Sequence, residues 1–196
     1  MATDIPEYSI SIPAGWSLLP GKAHAEQIDT IVAGFEVAAE TAERLRFALG
    51  NVNDIALHAP GRVNWALVSD PASGRVDAMM SLSFPKQDQD SYAAYRTAVD
   101  AVKSTEEFEQ VERTVIEKPL PAGPAIVVHE FVLPRTEGGV PDPAVERAIV
   151  AMFPAGFESF FEFALMTQDL AVFEDAAEYL VDIAAQVHLQ SQDVVA

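Results

Sequence analysis

The rhythm of apolar and polar positions changes several times along the chain, and each change predicts an element. Tyr8, Ile10 and Ile12 alternate with Ser9 and Ser11, the period-two pattern of a half-buried strand. The strand runs into Pro13-Ala14-Gly15-Trp16. Pro13 cannot donate to a ladder hydrogen bond and predicts the strand's end, Gly15 permits a sharp turn, and Trp16 is placed to fold back over the end of the sheet. A three- and four-residue rhythm follows, through Ile28, Ile31, Val32, Phe35, Ala38, Ala39, Ala42, Leu45 and Leu49. It predicts one amphipathic helix of about six turns, closed by Gly50 at its C-terminal cap. Gly34 lies inside that helix at a cost of about 1 kcal/mol against alanine.

Period two then returns. Residues 54–59, 62–69 and 75–84 are separated by Pro60-Gly61 and by Asp70-Pro71-Ala72-Ser73-Gly74, and they predict a three-stranded antiparallel meander. A helix is expected over Ser91 to Lys103, with Tyr95, Ala98, Val99 and Val102 as its apolar stripe. Strands are expected over 110–117, 125–134, 145–153 and 158–166, and a last helix from Leu170 to His188 with Asp169 as N-cap. The order predicts an α+β domain: a single antiparallel β-sheet of seven to eight strands covered by three amphipathic helices. Residues 1–190 form that single domain and 191–196 a frayed tail.

A first strand closing in Ile12-Pro13-Ala14-Gly15-Trp16, then a helix, an antiparallel sheet interrupted by one helix, and a C-terminal helix resembles the PsbP-like fold. That family includes extrinsic photosystem subunits, nuclear-import factors that bind the GTPase Ran, and small bacterial proteins and lipoproteins. The resemblance covers most of the chain as topology and residues 8–16 as sequence. It implies a non-catalytic binding or adaptor role. The chain departs from the lipoproteins in lacking a signal peptide and a lipobox cysteine, and no family site residue carries over.

Composition narrows the function classes. A chain of 196 residues that is 49% hydrophobic and 21% charged has the makings of a full core. With no cysteine, disulfides, thiol catalysis and cysteine-held zinc are excluded. Neither a secretory signal nor a stretch long enough to span a membrane stands out, and the expectation is a cytoplasmic protein. Alanine is frequent and arginine outnumbers lysine, a bias of high-GC bacterial genes. The formal net charge is −18. Spread over about 9,000 Å² of surface, that is one charge per roughly 500 Å², or about 20 Å apart, beyond the ~8 Å Debye length. The fold tolerates it, while nucleic acid and anionic membranes are disfavoured and a partner protein with a basic surface is allowed.

Motif chemistry is sparse. There is no Gly-x-Ser-x-Gly elbow, and the serines fall on strand faces (Ser81, Ser83) or in a turn (Ser73). Residues 136–142 hold two glycines but no following Lys-Ser/Thr, so a phosphate loop is not expected. His24, His58, His129 and His188 lack metal-ligand spacing, and Gln87-Asp88-Gln89-Asp90 lacks the glycine and distal glutamate of a calcium loop. No cofactor and no metal are called for. The ligand-binding candidates are His129 and Glu130, adjacent on one strand and so on opposite faces, together with Trp65. If His129 shares a face with Val127, Phe131 and Leu133, it is a hydrogen-bonded core histidine or a cavity-lining one. Glu162 is expected to face solvent. Aromatic residues occupy both faces of 157–163, so the sheet needs helices on both sides, a ligand or a partner.

Three functions fit. The first is a non-catalytic binding or adaptor protein acting through protein contacts. The second is a helix-grip carrier of a small apolar ligand, with the sheet curled around the last helix. The third is an enzyme built on a carboxylate pair that the sequence does not single out.

Overall fold

A computed structural model describes residues 7–20, 25–58, 61–102, 104, 108–135 and 143–190. Its elements run β1 (Tyr8–Ser9), β2 (Trp16–Leu18), α1 (Ala25–Ala33), α2 (Ala39–Leu57), β3 (Val63–Leu67), β4 (Ala78–Ser83), α3 (Ser91–Ala101), β5 (Phe108–Leu120), β6 (Gly123–Pro134), β7 (Val145–Met152), β8 (Phe161–Thr167), α4 (Ala176–Ala184) and β9 (His188–Leu189). The α+β class and the antiparallel sheet follow the expectation, with four helices rather than three. No helix among the described residues is long and apolar enough to cross a membrane.

Seven strands form the main sheet in the order β2-β3-β4-β8-β7-β6-β5, every neighbouring pair antiparallel. It is two meanders, β2-β3-β4 and β5-β6-β7-β8, joined where β8 returns beside β4, with Ala78 opposite Thr167 and Ser83 opposite Glu162. Period-two alternation divides the side chains between two layers. Trp65, Met80, Leu82, Val127, Val150, Phe163 and Leu165 point to the side where α4 lies, and pack on Leu180, Ile183 and Ala184. On the opposite side α1 and α2 cover the β3 end through Leu19, Val32, Leu45, Leu49 and Ala66. The third helix, α3, covers the β6 end through Val99, Ile126, Val128, Phe153 and Phe160. A sheet apolar on both faces is thus enclosed by helices on both sides.

The predicted long helix is broken. Its rhythm stops at Gly34, Glu36 takes a left-handed φ of 50°, and α2 begins at Ala39, so the two helices fold into a hairpin. Gly50, expected as a cap, lies inside α2, and residues 54–57, expected as strand, are its last turn. Leu45, Leu49, Asn53 and Ala56 continue the buried stripe at helical spacing, which overrides the short alternation of the Asp54–Ala59 stretch. The third strand of the first meander is β2 instead, paired with β3 through Trp16 opposite Leu67.

The opening strand is also shorter than its pattern. β1 pairs with β9 in a separate two-stranded ribbon, Tyr8 opposite Leu189. Tyr8 sets its ring 5.3 Å from both Phe84 and Phe161. The chain turns at Gly15, φ +93°, and Trp16 donates through Nε1 to Tyr179 Oη at 2.8 Å, which ties the sheet edge to α4. α4 starts at Ala176 and not Leu170, because Asp175 Oδ1 caps it by accepting from the backbone N–H of Ala177 and of Glu178, both at 2.9 Å. Asp169 closes a preceding turn, accepting from Ala171 N–H at 3.1 Å. His188, expected at the helix end, lies in β9. His24, the 136–142 loop and the 191–196 tail lie outside the described residues.

Two glycines separate helix propensity from close approach. A Cβ at Gly50 would meet nothing within 4 Å, whereas one at Gly123 would lie 2.4 Å from the carbonyl oxygen of Phe153. Gly50→Ala should stabilise the protein by about 0.5–1 kcal/mol. Gly123→Ala should destabilise it by about 1–3 kcal/mol or more. Urea unfolding midpoints of the two variants measure both.

Candidate functional site

The three ligand-binding candidates do not converge. Trp65 and His129 share the α4 face of the sheet, Trp65 on β3 and His129 on β6, four strand spacings apart. At about 4.8 Å per spacing that is roughly 19 Å. Trp65 is buried among Met80, Leu82 and the α4 side chains. His129 is a quarter exposed at its side chain, and its Nε2 lies 2.7 Å from Oε1 of Glu146 on β7. Phe131 lies against the imidazole, ring centres 5.2 Å apart. A buried carboxylate hydrogen-bonded to the ring makes His129 a bonded histidine at the rim of the core.

Glu130 points the other way. It is 2% exposed and stands in a cross-strand row, opposite Arg147 of β7 and Arg113 of β5. Arg147 donates to Glu130 Oε1 from Nε at 2.9 Å and also from Nη2, while Arg113 Nη1 lies 3.7 Å from Oε2. Phe108 covers the Arg147 guanidinium, 5.1 Å from ring centre to carbon. A buried carboxylate between two arginines is a structural row that keeps one net positive charge, in which removal of the carboxylate costs more than the pairs contribute.

A second polar contact replaces the solvent expected around Glu162. Glu162 lies under α3, where Tyr95 donates from its hydroxyl to Oε2 at 3.0 Å, Ser83 donates to Oε1 at 3.3 Å, and Arg62 lies 3.8 Å from Oε1. The sequence pattern assigned the face correctly, but α3 covers that face here. Burial first, and then the charge of Glu162 beside it, push the Tyr95 phenol far above its ordinary range. At the start of α3, Asp88 Oδ1 accepts from Asp90 N–H at 3.0 Å and from the Ser91 hydroxyl at 2.9 Å, and that hydroxyl above all holds the Asp88 carboxyl below its usual value. The Gln87–Asp90 stretch is therefore a hydrogen-bonded turn that leads into α3. No group of three or more metal-ligating side chains occurs among the described residues.

The feature that does have the form of a binding site lies elsewhere. A solvent-open groove of about 610 Å³ runs between the C-terminal half of α2 and the Asp77/Thr167 ends of β4 and β8. Val52 and Ile55 form one wall, and Met79 and Met166, direct cross-strand partners, form its floor with Leu170 beyond. Ile55 is 57% exposed and Leu170 49%. One end is polar but internally satisfied. Asp77, buried, accepts from Ser69 N–H at 2.8 Å, from the Ser69 hydroxyl, and from Arg75 Nε at 3.0 Å. Arg75 extends to Asp169 at 2.5 Å. The Asp77 backbone is pinned too, its carbonyl accepting from the Thr167 hydroxyl at 2.7 Å. Sequence reasoning missed this groove because it took residues 54–59 as strand, which hid Ile55. Exposure of Met79 and Met166 also depends on where the helices leave the sheet open. The Arg75-x-Asp77 spacing just before β4 is the one local signal.

Two results check these assignments. Glu130→Ala leaves Arg113 and Arg147 without their carboxylate and should cost about 3–5 kcal/mol by urea unfolding. Tyr95 keeps its proton in the folded protein beyond the pH, about 10, at which an unfolded tyrosine loses it. Its contribution is complete below pH 10 and is lost as pH rises from there. Tyr95→Phe should therefore be less stable near neutrality by about 1 kcal/mol and lose stability less steeply above pH 10. Comparison with protein-family models and with curated proteins finds no match for this chain.

Proposed function

We propose that the protein is a non-catalytic binding or adaptor protein of PsbP-like type, which takes an apolar segment of a basic partner protein into the groove beside α2. The observation that carries this reading is the groove itself: an open trough floored by Met79 and Met166 and edged by exposed Ile55 and Leu170. Methionine side chains are flexible and polarisable, so such a floor adapts to apolar side chains of differing shape. The polar end is occupied by its own ion pairs, which gives the groove a rigid stop rather than a reactive group. The net charge of −18 favours encounter with a positively charged partner. The sandwich of one helix on one face and three on the other, around an antiparallel sheet, supports the PsbP-like comparison at the level of architecture. The reading sets the protein in the cytoplasm, which a chain without cysteine suits.

A helix-grip carrier needs room between α4 and the sheet. That space is filled by Met80, Leu82, Phe163, Leu165, Leu180 and Ile183, all essentially inaccessible.

The test uses methyl-labelled protein titrated with two amphipathic peptides of equal apolar content, one leucine-lysine and one leucine-glutamate. Binding of the basic peptide should shift the Met79 and Met166 methyl signals, and Ile55→Glu should weaken it at least tenfold while leaving the fold intact. The acidic peptide should leave both signals unmoved. Equal binding of the two peptides, binding indifferent to Ile55→Glu, or no binding at all would sink the reading. So would a small apolar ligand retained in native mass spectrometry and lost on denaturation, which would establish the carrier.

A further inference from the structure

The sheet ends on β5, a 13-residue strand that has β6 as its only paired strand among the described residues. A free edge of that length presents unpaired backbone groups to any second strand. Its regular part is bounded on both sides. A bulge interrupts the register between Gln110 and Glu112, and Pro119, which has no N–H to give, follows Lys118. Between them lie seven residues, Glu112-Arg113-Thr114-Val115-Ile116-Glu117-Lys118.

We propose that β5 pairs antiparallel with β5 of a second copy of this chain, about a two-fold axis through Val115, joining two sheets into one. Two identical strands can meet this way only about an axis perpendicular to the sheet, so each residue must pair with one on its own face. Centring on Val115 sets Glu112 opposite the partner copy's Lys118, and Arg113 opposite its Glu117. Thr114 then meets Ile116, and Val115 meets itself. Within one chain Lys118 already lies 2.7 Å from Glu178, Glu117 3.3 Å from Arg96 and Arg113 3.7 Å from Glu130; in this register all four charges of the segment also gain an opposite charge across the axis, and the symmetry repeats both pairs. The permitted neighbouring registers, centred on Thr114 or on Ile116, match none of them. Like charges directly opposite destabilise a strand pair and unlike charges stabilise it, so the sequence of β5 selects one register.

A second observation agrees. The row Arg147–Glu130–Arg113 alternates in sign across β7, β6 and β5 and ends on a positive charge at the open edge. Arg113 Nε is buried there without a hydrogen-bond acceptor. The second copy's Glu117 continues the alternation by one strand.

Sedimentation equilibrium on the full chain tests the proposal. The wild-type protein should show a reversible species of twice the 21.2 kDa monomer mass. Lys118→Glu and Glu112→Lys each place like charges opposite one another twice, and each should raise the dissociation constant at least about tenfold. The double variant E112K/K118E restores opposite signs and should restore the dimer, a rescue that a merely structural role for either residue does not produce. Because the chain contains no cysteine, Val115→Cys provides a second readout: on mild oxidation it should trap a disulfide-linked dimer. A wild-type monomer at every concentration, a dimer indifferent to both charge reversals, or failure of the double variant to recover would overturn the proposal.

Discussion

The pairing of β4 with β8 is the contact on which the rest of the molecule depends. Each meander alone is a small sheet with a bare edge. Six cross-strand pairs from Ala78–Thr167 to Ser83–Glu162 turn the two into one surface wide enough to carry helices on both sides. The core under α4 needs Met80 and Leu82 from one meander beside Phe163 and Leu165 from the other. The groove beside α2 has the same origin, since Met79 and Met166 face each other across that seam. A substitution that weakened the seam would disturb the core and the groove together.

Polar groups reinforce the apolar pattern by penalising wrong alignments. Glu130 is compatible with burial only while Arg147 and Arg113 stand on either side, so sliding β5 or β7 along β6 would strand a charge. Asp77 does comparable work at the end of β4, where one carboxylate satisfies the hydroxyl and N–H of Ser69 and also holds Arg75. Thr167 returns a bond from β8 to the carbonyl of Asp77. The Tyr95–Glu162 contact fastens α3 to the same sheet from above.

Much of the fold was legible because strand faces follow strict alternation: the period-two rhythm of 62–69, 75–84 and 158–166 puts Trp65 with Leu67, Met80 with Leu82 and Phe161 with Phe163, and all six are buried in the core under α4. Less legible were features decided by competition. Residues 54–57 alternate weakly as a strand, but they extend a helical stripe already begun by Leu45 and Leu49, and burial of that stripe decides the outcome. Gly50 is expected to cap the long helix and Gly34 to lie inside it, whereas the chain breaks from Gly34 and runs helical through Gly50. Adjacency of His129 and Glu130 correctly implied opposite faces, while their partners, Glu146 and Arg147, lie on another strand and carry no local signature. The groove was least legible, because an alternating pattern tells which face a methionine occupies but not whether a helix covers it.

The seam has a consequence for the life of the chain before it is folded. β4 ends at Ser83 and its partner β8 begins at Phe161, so roughly 80 residues must leave the ribosome before the edge of β4 is matched. At about 5–20 residues per second the interval is on the order of 4–16 s, longer than a β-hairpin needs to form. During that time the first meander stands as a nascent hairpin stack whose unmatched strand and bare apolar side, awaiting the late-made α4, are open to any chaperone at the tunnel exit. Synthesis rate and folding are coupled at this boundary, as they are at the β1–β9 ribbon, whose strands lie farther apart still in the chain.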